Sequence, residues 1–142
     1  MSIVGGMENQ IRKYAREFFN MKKGEKIADP QEMVPVSPTT GFTRRSLKHF
    51  VESRVAQGSS WSDINYLLKK VGEVTENPQL KIRNPNQRNY PGSTLLGSFY
   101  EDKKKAVIVI LDKGRISESV VTLYFTKGAD FFELLKESSE NK

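Results

Sequence analysis

Between residues 8 and 19 the apolar side chains Ile11, Tyr14, Ala15, Phe18 and Phe19 recur at intervals of three and four, which predicts an amphipathic helix with one face to bury. Hydrophobic order then lapses. In KKGEKIADPQEMVPVSPTTG, Pro30, Pro35 and Pro38 oppose a regular helix, and the small polar residues suit an extended arm. Helical periodicity returns twice. Thr43 is a fair N-cap for a helix from about 44 to 56, closed by Gln57-Gly58. Ser60 with Asp63 has the form of a capping box, and it opens a third helix whose stripe is Ile64, Leu67, Leu68, Val71 and Val74 until Asn77-Pro78 ends it.

Past residue 79 the period drops to two. LKIR reads as a short strand and NPNQRNYPG as a polar loop. STLLGSFYED, KAVIVILDKG and SESVVTLYFTK read as three longer strands, turned at Asp102-Lys103 and Lys113-Gly114. AVIVIL is apolar on both faces, so it belongs in the middle of the sheet. A last helix, capped by Asp130, offers Phe131, Leu134 and Leu135. Helices first and strands second predicts the α+β class: N-terminal helices packed on a mainly antiparallel sheet of about four strands, with a C-terminal helix. The prolines set apart an accessory N-terminal helix and arm, residues 1–35, from a single α+β domain, residues 36–142.

Composition narrows the chemistry. The 142 residues suffice for one core, and the absence of cysteine excludes disulfides and thiolate metal sites. A single histidine and acids without ligand spacing leave no expected metal and no expected cofactor. No apolar run approaches the roughly 20 residues of a spanning helix, and the N-terminus lacks a secretory pattern. The expectation is a protein without a membrane partner, cytoplasmic or delivered into a target cell's cytoplasm. A formal charge of +6 points to a polyanionic partner, because lysines and arginines gain affinity by releasing counterions from phosphates. Residues 41–56 hold four basic groups and one acid, and residues 79–128 hold nine basic and four acidic, so the excess sits on the second helix and the strands.

Two places carry candidate chemistry. On the second helix Leu47, Phe50, Val51 and Val55 share one face, and His49 falls nearly opposite, near Arg45 and Glu52, where a solvated position is as good a reading as a functional one. Arg54 lies inside the apolar stripe. It must snorkel, pair with a carboxylate or face a polar cleft. On the last strand, alternation sends Val121, Leu123 and Phe125 to one face and Val120, Thr122, Tyr124 and Thr126 to a hydroxyl-rich other, with Lys127 at its end. Lys103, Lys104 and Lys105 form a charged hairpin tip, Trp61 a helix-start anchor, and Arg88 and Tyr90 a phosphate contact and a stacking ring on a mobile loop.

The string TRRSLKHFVESR, the helix after it, the three-strand meander and the closing VVTLYFT together resemble the barnase, EndoU, colicin D and RelE-like group of small ribonuclease domains, particularly its phage-associated and polymorphic-toxin members. The likeness covers about residues 36 to 127 and is specific at the helix motif. It implies metal-independent endoribonuclease activity on tRNA or mRNA, by 2′-hydroxyl attack that leaves a 2′,3′-cyclic phosphate. His49 would then be the base, Arg54 the phosphate-facing cation, and Thr122 and Tyr124 hydrogen-bonding partners of the scissile group. Arg45, Lys48, Arg88, Tyr90, Lys103, Lys104, Lys105 and Lys127 would hold the RNA. Several members of the group use a second histidine or a lysine as the acid; here Tyr124, Lys127 or water would have to serve. An acidic inhibitor or immunity protein is a further expected partner.

Two other functions fit the same residues. One is a non-catalytic nucleic-acid-binding module that uses the basic face alone, and the other is an interaction domain for an acidic protein.

Overall fold

The computed structural model describes residues 3–113 and 118–140. The order is α1 (Ile3–Asn20), β1 (Met33–Ser37), β2 (Thr40–Thr43), α2 (Arg44–Ala56), α3 (Trp61–Glu76), β3 (Leu80–Arg83), β4 (Thr94–Tyr100), β5 (Lys105–Lys113), β6 (Glu118–Lys127) and α4 (Gly128–Glu140). The class is α+β. The turn expected at Lys113-Gly114 runs into residues 114–117, outside the described residues.

The sheet has six strands rather than four, in the order β1-β2-β6-β5-β4-β3. The extra pair is a hairpin inside the proline-rich arm. Val34 and Val36 are buried on alternate positions of β1, and Pro35 between them is tolerated because β1 is an edge strand. Gly41 permits the close pairing with β2, since a Cβ there would lie 2.9 Å from the Val34 carbonyl oxygen. β2 then joins β6 in parallel through Thr40 and Gly41, which makes the sheet mixed. As expected, AVIVIL lies in β5, flanked by β4 and β6.

The segment 1–35 is built into the same core. Ile11, Ala15 and Phe18 of α1 are buried in one cluster with Leu47, Phe50 and Val51 of α2 and the α3 stripe. Arg44 fastens the arm from the other side. Its Nη1 donates to the Ala28 carbonyl at 2.8 Å, and its guanidinium lies 5.0 Å from the centre of the Tyr14 ring. The 35/36 boundary therefore runs through a strand.

Both predicted helix starts are present. Thr43 Oγ1 accepts the Ser46 N–H at 3.0 Å, and Ser60 and Asp63 exchange side-chain and backbone bonds. Trp61 packs on the core beside Phe19, with Arg16 over its ring. On the other face of the sheet, Phe131 of α4 seals Leu80, Leu95, Ile108 and Ile110. Asp130 lies in the first turn of α4, which starts at Gly128, and not at its cap.

Candidate nucleic-acid interface

The final strand sorts its side chains by face, with one correction. Thr122 is opposite Ile110 and Tyr124 opposite Ile108, on the α4 side, while Leu123 and Phe125 meet the helix-side core. A bulge follows between Ile110 and Leu111, where Leu111 pairs with Val120 and skips Val121. An extra residue reverses alternation. Val120 is therefore in the helix-side core and Val121 on the Tyr124 side, the opposite of the sequence expectation.

The loop 84–93, expected to be mobile, is closed on itself. Asn84 Nδ2 donates to Ser93 Oγ at 2.9 Å, Gln87 Nε2 donates to the Asn84 carbonyl at 2.7 Å, and the Gly92 N–H donates to Gln87 Oε1 at 2.6 Å. Asn84 and Ser93 are buried. This clasp holds Tyr90 against the α4-side cluster, and a cleft of about 200 Å³ runs between Tyr90, Asp112 and Val121. Arg88 is exposed on the loop.

Arg54, in the last turn of α2, comes within electrostatic reach of Tyr90 and Tyr124. Its half-burial lowers its pKa, and the two tyrosines oppose that shift. No ion pair engages Arg54 among the described residues, and its buried Nε has no hydrogen-bond partner. Burial, helped by Tyr90, raises the Tyr124 pKa against the pull of Arg54, so that hydroxyl stays protonated and can donate. Of the residues expected at the site, Arg54, Tyr90 and Tyr124 come together, and Thr122 lies on the same sheet face.

His49 is not among them. It lies five positions before Arg54 on the helix, or about 140° away around the axis. It is exposed and lines an open groove of about 660 Å³ with Lys26, Pro30, Arg45 and Glu52, built by the arm. Neither groove that His49 lines includes Thr122 or Tyr124. Arg45 is exposed on the same groove. Lys48 borders the same groove but is largely buried, paired with Glu52 at 3.2 Å.

Lys103, Lys104, Lys105 and Lys127 are all exposed at the far end of the sheet, beside three rings that sequence reasoning did not assign to a site: Tyr66, Tyr100 and Phe125. A signal existed. Tyr66 and Lys70 stand four apart on α3, off its apolar stripe, and such pairs meet on a helix surface.

Among the described residues, no cluster of three or more potential metal ligands occurs and no helix is long and apolar enough to cross a membrane. The chain matches no family model, no curated protein and no solved structure. Function has to be read from the residues themselves.

Proposed function

We propose that the protein binds RNA, with a backbone phosphate against Arg54 and neighbouring bases against Tyr90 and Tyr124. The observation that carries this reading is Arg54: a half-buried guanidinium whose Nε has no hydrogen-bond partner, with no ion pair among the described residues, beside two aromatic hydroxyls. A cation held that way costs stability unless something completes it. A phosphate supplies charge and acceptors together, and the net charge of +6 favours its approach. Titration of a labelled single-stranded RNA by fluorescence anisotropy tests it. Arg54→Met is expected to weaken binding about tenfold or more, the scale of a lost charged hydrogen bond. Equal affinity would remove Arg54 from the interface.

A second reading is cleavage of the bound strand, giving a 2′,3′-cyclic phosphate. The nearness of Arg54 to Tyr124 favours it, since it combines a cation for the phosphoryl oxygens with a protonated hydroxyl for the leaving oxygen. The missing member is a base, because His49 faces another groove. Incubation with total RNA in EDTA decides: cyclic ends that disappear in Arg54→Met would establish cleavage at this site, their persistence in His49→Ala would exclude the imidazole as its base, and intact RNA would reject cleavage.

A further inference from the structure

We infer that the helix-side end of the sheet carries a second RNA contact, a platform of Tyr66, Tyr100 and Phe125 that stacks unpaired bases while the lysines around it hold the adjoining phosphates. The inference rests on the RNA-binding reading above and uses none of the residues grouped around Arg54.

Three elements build the platform. Tyr66 comes from α3, Tyr100 from the end of β4 and Phe125 from β6; the Tyr66 ring lies 5.7 Å from Phe125 and meets Tyr100 edge-on at 6.1 Å. All three rings are partly exposed. The Tyr66 hydroxyl donates to Asp102 Oδ1 at 2.9 Å, which anchors the β4–β5 turn to the helix. Cations crowd the rings. Lys70 Nζ is 4.8 Å from the Tyr100 centroid, Lys103 Nζ 5.1 Å from Tyr66 and Lys105 Nζ 5.5 Å from Phe125.

Strand register adds a conflict that a ligand would relieve. Tyr100 pairs with Lys105, and Lys105 pairs with Lys127, so two lysines occupy directly opposite positions on neighbouring strands. Like charges so placed repel. No carboxylate lies within ion-pair distance of Lys103, Lys105 or Lys127 among the described residues, while the nearby acids Asp102 and Glu73 are engaged by the Tyr66 hydroxyl and by Lys70. A polyanion bridging the lysines removes the repulsion. An acidic peptide would answer the charge and leave the rings unused; a single strand answers both, because every base has a π-face to stack and each step carries a phosphate. An exposed ammonium over a ring is a weaker contact than a stacked base, so the lysines can yield the ring faces and turn to the phosphates.

The test is an anisotropy titration of the full chain with a labelled oligouridylate and with the same strand carrying central abasic positions. Tyr66→Leu, which keeps apolar bulk, is expected to weaken oligouridylate binding at least about fivefold, and Tyr66→Phe, which loses only the bond to Asp102, to stay within about twofold of wild type. The abasic strand should bind wild type less tightly than the intact strand does, and that difference should shrink in Tyr66→Leu. The double variant Lys105→Gln/Lys127→Gln, at exposed positions, should lower affinity and flatten its salt dependence even if Tyr66→Leu fails to fold. Wild-type affinity in both the Tyr66→Leu protein and the lysine double variant would overturn the platform, and with Arg54→Met still weakened it would leave the Arg54 reading standing. A wild-type protein that binds no RNA would overturn both.

Discussion

The Glu52 carboxylate accepts the backbone N–H of Gly24 at 3.1 Å, across 28 residues of sequence. It also receives Lys48 Nζ, whose side chain is only 9% exposed. One carboxylate thus fastens the arm after α1 to α2 and neutralises a cation that could not otherwise stay buried. Burial alone would raise the Glu52 pKa, but the Gly24 N–H, Lys48 and the nearby His49 outweigh it and hold the group below its ordinary 4.5. A folded pKa below the unfolded one stabilises at pH above the unfolded value and loses that contribution as pH falls through the folded value. Glu52→Gln should therefore cost about 1–3 kcal/mol in urea unfolding at pH 7. The gap between wild type and variant should narrow in acid, below the lowered carboxyl pKa; a constant gap would contradict the assignment.

Arg54 predicts a separation of stability from function. Methionine fills a similar shape without the unpartnered Nε, so Arg54→Met is expected to leave the melting temperature unchanged or to raise it, while RNA affinity falls. A variant that loses both in proportion would mark Arg54 as a structural residue.

Gly97 sets how closely α4 approaches the sheet. A Cβ there would lie 2.7 Å from Phe131 Cε1 and 2.8 Å from Ile108 Cδ1, both in packed side chains. Gly97→Ala should destabilise by about 1–3 kcal/mol through overpacking, measured as a shift in the chemical-denaturation midpoint.

The helix caps give the smallest and most local expectation. Removing the Thr43 or Ser60 hydroxyl by alanine should cost about 1 kcal/mol each, and the two losses should add in a double variant because each serves its own helix start.

Much of the frame was legible because its signals are local. The α3 stripe Ile64, Leu67, Leu68, Val71 and Val74 is wholly buried, both caps bond as their spacing implies, and the doubly apolar β5 lies inside the sheet. The β1–β2 hairpin was not legible. Pro35 and Pro38 argue for an irregular arm until the neighbouring strand is known; an edge position, with the register shift between Pro35 and Ser37, reconciles Pro35 with pairing. The Val120/Val121 exchange has the same origin, since a bulge depends on which residue the partner strand skips.

For the site, the amino-acid order alone determined that Arg54 interrupts an apolar stripe, that Thr122 and Tyr124 share a face, and that the charge excess belongs to α2 and the strands. Those follow from helix and strand periods, which act over a few residues. Tertiary structure decided who meets whom. It put Tyr90 and Tyr124 near Arg54, turned His49 toward the arm, buried Lys48 against Glu52 and gathered Tyr66, Tyr100 and Phe125 among lysines. Such meetings depend on strand order and loop closure over tens of residues, for which no short-range pattern in the chain is a code.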